Sequence, residues 1–200
     1  EDDVEGSVNE RLYKEAFHQH GYGWPTIGWM EDIVGMTAED CHAFYRTYYA
    51  PNNARLVVVG DVDMGELLAM VQREYGPMPS AEIPVEDVQP EPPQTEERQV
   101  EMKKPTPTQK IAMGYRSPAL GDFDHAPLAI LNEALFGGRA SRLHRVLVQK
   151  LEIASDVRGY VGAFRDPSLW DISATARAEH TCEELLAALD GVFEEVKKTG

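Results

Sequence analysis

The segment "HQHGYGWPTIGWM", residues 18–30, holds the side chains of this chain best suited to metal chemistry. His18 and His20 are two positions apart, and on a strand such side chains point the same way, so two imidazoles could share one zinc ion. Two ligands do not make a site, and the sequence nominates no third. The glycines and Pro25 favour an irregular turn, in which one histidine closes the turn by hydrogen bonding and the other faces solvent. We favour the turn and expect no zinc at these histidines.

The other reactive side chains form no recognised catalytic pattern. His42 and His144 are interpreted as surface or boundary residues of predicted helices. Cys41 and Cys182 are far apart in the sequence, which favours two unpaired core thiols over a disulfide. The sequence contains no H-E-x-x-H, H-x-x-E-H, Cys-x-x-Cys, Gly-x-Ser-x-Gly or P-loop motif. We therefore assign no catalytic or metal-ligating residue in this chain, and its substrate-binding residues stay unknown.

Amphipathic helices are predicted on both sides of the histidine segment. Residues 7–17 have helical apolar spacing, and a second helix, 38–49, follows a capping box. A third helix spans 65–75. Between the last two, the β-branched run "ARLVVVGDV", 54–62, predicts a buried strand. The aromatic residues of this region, spaced as on helices, are expected to pack in a core.

A different pattern begins after a proline-rich segment. Residues 77–97 contain six prolines and six acidic residues but no lysine or arginine, which predicts an extended linker. The predicted elements then follow in the order strand, strand, helix, helix, strand, strand, helix, at 98–104, 109–115, 122–137, 141–151, 157–164, 169–178 and 181–198. In the last strand Trp170, Ile172, Ala174 and Ala176 alternate with Asp171, Ser173, Thr175 and Arg177, and the last helix begins with a capping box formed by Thr181 and Glu184. Both modules end with a strand and a helix that opens Glu-Leu-Leu-Ala, which suggests an internal duplication. The predicted fold class is α+β, an antiparallel sheet layer backed by helices.

The charge distribution limits the class of partner. The net charge is −15, and residues 1–100 carry 20 acidic and 6 basic side chains. This acidity argues against nucleic acid and anionic membranes as partners, because attraction to phosphate is absent. A basic peptide would suit the charge better, although acidic surfaces often only maintain solubility. We expect no membrane span, since no apolar run is long enough.

Four segments in order carry a family resemblance: "FHQHGYGWPTIGW", "YYAPNNARLVVVGD", "APLAILNEALFGG" and "SRLHRVLVQKLEIAS". Together they resemble the insulinase and pitrilysin family of zinc metallopeptidases, which includes the mitochondrial processing peptidases. The resemblance covers essentially all 200 residues. It implies that residues 1–76 form the end of a catalytic-type half, 77–97 a linker, and 98–200 the start of a second, inactive half.

The resemblance implies that the zinc chemistry lies outside this chain. In that family an H-x-x-E-H motif supplies two zinc ligands and the general base, and a glutamate that should fall just before Glu1 supplies the third ligand. The chain lacks an initial Met and opens on "EDDVEG", so we expect a piece of a longer protein. The parent is expected to bind Zn²⁺ and to cleave peptides or unfolded segments in a closed chamber. The bacterial periplasm and the cytoplasm both remain open as its compartment.

One departure from the family pattern bears on partners. Some members carry an Arg and a Tyr seven residues apart after the "SRL" block, where Val148 and Ser155 stand here. This resembles a zinc-bearing subunit whose partner chain supplies the pair, and it also fits an inactive scaffold subunit. Because each half lacks sheet partners, a homodimer of the fragment that completes a sheet is a further expectation.

Overall fold

The computed structural model describes residues 3–199, which form helices and one small antiparallel sheet. The helices are α1 Val4–Ala16, α2 Met30–Gly35, α3 Ala38–Tyr48, α4 Met64–Tyr75, α5 His125–Phe136 and α6 Cys182–Thr199, with a π-helix at His144–Lys150. The strands are β1 Lys110–Ser117, β2 Ala154–Val161 and β3 Ser168–Ala176. The predicted α+β class is confirmed. Two compact units can be distinguished: residues 3–24 with 90–199, the sheet unit, and residues 25–89, the helical unit.

The sheet has the order β1-β3-β2, and both strand pairs are antiparallel. β3 is therefore the central strand, and its side chains alternate between the two faces. Trp170, Ile172, Ala174 and Ala176 are buried on one face, as their spacing predicted. The other face carries Leu169, which packs in a separate small core, and the polar residues Asp171, Ser173 and Thr175.

Two helices and the π-helix cover the Trp170 face. Leu143, Leu147, Leu185 and Leu189 are fully buried against it. Within this core the indole N–H of Trp170 donates a 2.8 Å hydrogen bond to Asn132 Oδ1, so neither buried polar group lacks a partner. Both helices and the capping box that starts α6 were predicted, whereas the π-helical geometry of His144–Lys150 was not.

α1 lies on the opposite face of the sheet. Asp3 caps its first turn by accepting the N–H of Gly6, and the helix ends at Ala16. Ala16 and Phe17 are buried with Leu169 in a small second core. The spacing of residues 7–17 predicted this helix, but not that it would cover the sheet.

The helical unit contains α2, α3 and α4. Thr37 and Asp40 form the predicted capping box of α3, and Asp63 caps α4 by accepting the N–H of Glu66 at 2.9 Å. α4 ends at Tyr75, and Gly76 is its C-terminal cap, as expected. α2 was not predicted, because its six residues are too few to show a helical period.

Two predicted strands are absent from the structure. Residues 54–62 form no strand, and Val59 is 93% exposed; residues 98–104 likewise form no strand. A strand needs a hydrogen-bonding neighbour, and in residues 3–199 no other strand lies beside either segment. Both segments therefore have strand-forming sequences, but residues 3–199 provide no strand with which either could pair.

The prediction that the aromatic residues and Cys41 of the helical unit lie in a core is also wrong for most of these residues. Phe44, Tyr45 and Tyr49 are each more than half exposed, and Cys41 is exposed. Both cysteines are free thiols, and Cys182 is half-buried. α3 is amphipathic, as predicted, but few side chains of residues 25–89 pack against its apolar side.

Residues 77–109 contain no helix and no strand, as the proline content predicted for 77–97. The one well-buried charged group of this segment is Glu91, whose side chain is 6% exposed. The division into catalytic-type half, linker and inactive half remains a prediction.

Candidate functional site

The histidine segment forms a turn organised around a carboxylate. The backbone N–H groups of His18, Gln19 and His20 all donate to the carboxylate of Glu91, at 2.9, 2.7 and 3.0 Å. Burial alone would raise the pKa of Glu91, but these donations outweigh it and the pKa lies below its ordinary value. Successive N–H groups that converge on an anion form a nest, and here its occupant is a residue of the linker segment.

The two histidines have different roles in this turn. His20 is 7% exposed, and its Nδ1 accepts the N–H of Tyr22 at 3.1 Å. His18 is exposed, with its Nε2 3.3 Å from an Arg98 nitrogen. One histidine therefore closes the turn and the other faces solvent, as favoured from the sequence.

His18 and His20 do not fit a shared zinc site. His20 uses Nδ1 within the turn, and its Nε2 lies 3.7 Å from Asp166 Oδ2. For His18, the cationic guanidinium of Arg98 lies beside Nε2. Among residues 3–199, no group of three or more His, Cys, Asp or Glu side chains is arranged to hold a metal ion.

Arg116 joins the histidine turn to the sheet. Its guanidinium lies 4.4 Å from the centre of the Phe17 ring and donates to the Ala16 carbonyl at 2.8 Å. It also lies 4.0 Å from Glu91 Oε1. This one β1 side chain therefore makes favourable electrostatic contacts with the C-terminal end of α1, an aromatic face and the linker carboxylate.

A second candidate site lies where α1 crosses the sheet. The hydroxyl of Tyr13 donates a 2.9 Å hydrogen bond to Asp171 Oδ2, and a cleft of about 270 Å³ opens beside the pair. Burial raises the pKa of Asp171 to about 6, which the Tyr13 hydrogen bond only partly offsets. The pKa of Tyr13 is also raised, by its burial and then by the Asp171 charge. Sequence reasoning missed this site because nothing local indicates which helix covers Asp171.

The remaining candidate residues do not converge on either site. His42 is exposed, and His144 is half-buried. Val148 lies in the π-helix and Ser155 is exposed on β2, where its hydroxyl donates to the Thr175 carbonyl. None of the helices in residues 3–199 combines the length and apolar character that a bilayer span requires.

Comparison with known protein families matches most of this chain to one family. The sequence profile of the family described as "Peptidase M16 inactive domain" matches residues 35–200. The chain belongs to this family. The M16 assignment agrees with the insulinase-type resemblance of the sequence, which is thereby confirmed.

Two relatives and one solved structure illustrate the range of similarity. The zinc protease PqqE of Helicobacter pylori is 28% identical over 199 residues, which cover 96% of this chain and 44% of the relative. The crystal structure of a protease from Helicobacter pylori superimposes with a TM-score of 0.86 and 29% identity, over 96% of this chain and 47% of that one. The mitochondrial-processing peptidase subunit beta of Blastocladiella emersonii is 22% identical over 91% of this chain and 40% of the relative.

The chain thus spans about half the length of the relatives that it matches. Zinc is a property of proteins in this family, as the names of relatives state.

Proposed function

We propose that the parent of this chain is a zinc metalloendopeptidase, in which these 200 residues are a non-catalytic portion that forms part of the chamber wall. The observation that carries this proposal is the match of residues 35–200 to the M16 inactive domain. The relatives named zinc proteases, similar over nearly the whole chain, support it further. The substrate class is a peptide or an unfolded protein segment.

The zinc ligands are proposed to lie upstream of Glu1. The resemblance places an H-x-x-E-H motif and a third glutamate ligand there, and His18 and His20 of this chain make other contacts. We therefore derive no step of zinc chemistry from the described residues. Their contribution is to shape and charge the surface that a bound peptide meets.

Peptide hydrolysis by the full-length protein tests this proposal. Replacing the glutamate of the upstream H-x-x-E-H with glutamine should abolish cleavage of an unfolded peptide without loss of folding, because the general base is removed. The peptidase proposal is wrong if the upstream sequence lacks H-x-x-E-H. It is also wrong if the wild-type protein cleaves no peptide even after the other M16 subunits of the same organism are added.

A scaffold subunit of the same fold is the second candidate. Val148 and Ser155 stand where some family members carry Arg and Tyr, and one relative is named as a subunit of a processing peptidase. A partner chain would then supply the Arg-Tyr pair, or the parent would have a purely structural role. Co-purification of a second M16 chain that restores cleavage would indicate the two-subunit arrangement, whereas an assembled but inactive complex would indicate the scaffold.

The domain division is part of this proposal. We propose that residues 1–76 complete a catalytic-type half, that 77–97 link it to the second half, and that the latter begins at 98. The strand-like sequence of residues 54–62 supports a missing sheet partner, because its apolar residues are exposed and no strand pairs with it in residues 3–199. In the isolated fragment the same edge would favour a homodimer, which light scattering would detect.

A further inference from the structure

The cleft between α1 and the sheet has apolar walls and a charged rim. Val8 and Leu12 of α1 line one side, and Ala112 of β1 lines the floor. On β1 the residue paired with Asp171 is Gly114, which presents no side chain, so no β1 group covers the carboxylate from that direction. A larger but shallower depression near residues 105–108 contains no buried polar atom that lacks a partner.

The charges in this cleft do not cancel. Glu5 is paired with Lys110, and Asp156 is paired with Arg158 at 2.7 Å. Asp171 is the one remaining charged lining residue, and it has no basic partner in the described part of the chain. Its Oδ2 accepts from Tyr13, while its Oδ1 is buried and accepts no hydrogen bond from residues 3–199.

We propose that this cleft binds a primary ammonium group on an alkyl stem, such as a lysine side chain, with Asp171 as the counter-ion. A buried carboxylate oxygen without a partner is costly, and an ammonium donor would satisfy both its charge and its hydrogen-bonding capacity. The apolar walls suit the methylene stem of the ligand.

The hydrogen bond from Tyr13 selects ammonium over guanidinium. Arginine binds carboxylates best through two parallel N–H donations to both oxygens. Because Tyr13 already donates to Oδ2, only Oδ1 lacks a donor, and a single-point donor suits one unpartnered oxygen better than a two-point donor does. The raised pKa of Asp171, caused by burial, agrees with a carboxylate that lacks a cation.

Two ligand analogues would measure this selectivity. Isothermal titration of the metal-depleted full-length protein with Nα-acetyl-lysine methylamide at pH 7.5 should show saturable binding. The norleucine methylamide, which keeps the stem without the charge, and the arginine methylamide should each bind at least tenfold more weakly. Equal binding of lysine and norleucine, or tighter binding of arginine, would overturn the proposal.

Variants then assign the binding to Asp171. Asp171→Asn should weaken lysine-amide binding at least tenfold, whereas Asp190→Asn, the same change on the exposed side of α6, should leave it unchanged. Ala112→Leu fills the floor of the cleft and should also abolish binding, so it decides the question if the Asp171 variant fails to fold. Wild-type affinity in a folded Asp171→Asn or Ala112→Leu variant would contradict the assignment.

The affinity should also fall with pH. Lowering the pH from 7.5 to 5 protonates most of an Asp171 with a pKa of about 6, so lysine-amide binding should weaken about tenfold. The other titratable or charged groups that face Asp171 or line the cleft are Glu5 and Tyr13 on α1, Lys110 on β1, and Asp156, Arg158 and Tyr160 on β2. The pKa of Glu5 is lowered by Lys110, so Glu5 stays ionised over this range, and unchanged affinity at pH 5 would count against Asp171.

The step from an alkylammonium group to a substrate lysine rests on the proposed peptidase function. The binding experiments need neither zinc nor hydrolysis, so they can succeed while the peptidase proposal fails. If both hold, peptides with a lysine should have a lower KM than their norleucine counterparts, and Asp171→Asn should remove that difference.

Discussion

Tyr13 of α1 and Asp171 of β3, 158 positions apart, are joined by a 2.9 Å hydrogen bond across the face of the sheet. This bond and the packing of Ala16 and Phe17 against Leu169 attach α1 to the sheet. The attachment produces the α1 cleft, and it makes the stability of the sheet unit depend on a carboxylate with an unusual pKa.

Removing the Tyr13 hydroxyl should loosen this attachment. Tyr13→Phe deletes the donor to a buried carboxylate, and we expect a loss of about 1.5–3 kcal/mol in the free energy of unfolding at pH 7.5. Chemical denaturation measures it. Tyr160→Phe, on the same face but more exposed, is the matched control and should cost less than about 0.5 kcal/mol.

Asp171→Asn should stabilise the protein at neutral pH. The folded pKa of Asp171, about 6, lies above its ordinary value of 3.8, so its protonated form is the one that the fold favours. The stability that protonated Asp171 contributes to the fold is therefore fully present below pH 4 and is lost as the pH rises through 6. Asparagine stays neutral and keeps an acceptor for Tyr13.

The expected gain for Asp171→Asn is about 2–3 kcal/mol at pH 8, since one pKa unit corresponds to about 1.4 kcal/mol. The difference between variant and wild type should shrink towards zero by pH 4. A pH-independent difference in the free energy of unfolding would show that the carboxylate is not perturbed by the fold.

Glu91→Gln should release the linker from the histidine turn. The variant loses the charge that three backbone N–H groups share, and we expect a cost of about 1.5–3 kcal/mol at pH 7. Because the folded pKa of Glu91 is depressed, this contribution is present above its ordinary pKa of 4.5 and is lost as the pH falls through the folded value.

Hydrogen exchange at residues 18–20 reports this release directly, with faster exchange expected in Glu91→Gln. Glu82→Gln, an exposed glutamate of the same segment, is the control and should leave these amides protected. Unchanged protection in Glu91→Gln would mean that the turn holds without the carboxylate.

Gly159 is required by close packing on the helix-covered face. A Cβ at this position would approach Phe136 Cδ2 to 2.3 Å and Asn132 Oδ1 to 2.4 Å, so Gly159→Ala should destabilise the protein by about 1–3 kcal/mol. Gly191→Ala, on α6 with open space around the new methyl group, should instead stabilise it by up to about 1 kcal/mol. Thermal unfolding of both variants would distinguish packing from backbone effects, and equal shifts would contradict this interpretation.

Sequence reasoning succeeded where the determinants are local. The capping boxes at Thr37 and Thr181, the alternation around Ile172 and the turn at His20 all depend on residues within a few positions of one another. It failed where a distant partner decides. The segment 54–62 has strand-forming residues but no neighbouring strand in the described chain, and the exposed Cys41 belongs to a face that residues 25–89 do not cover.

The α1 cleft shows the same limit for the functional site. The type of Asp171 and its place on the polar face of β3 were evident, but the helix that buries it precedes it by more than 150 residues. The nest around Glu91 likewise joins segments that are more than 70 residues apart. Neither contact leaves a local signal in the sequence.

Zinc stoichiometry in the full-length protein tests the central claim, that this chain is the non-catalytic portion of a zinc peptidase. The wild-type protein and its His18→Ala variant should each bind one zinc ion per molecule after chelation and zinc readdition, whereas replacing the first histidine of an upstream H-x-x-E-H should remove it. Loss of zinc on His18→Ala, or a full-length protein that binds none, would contradict the account.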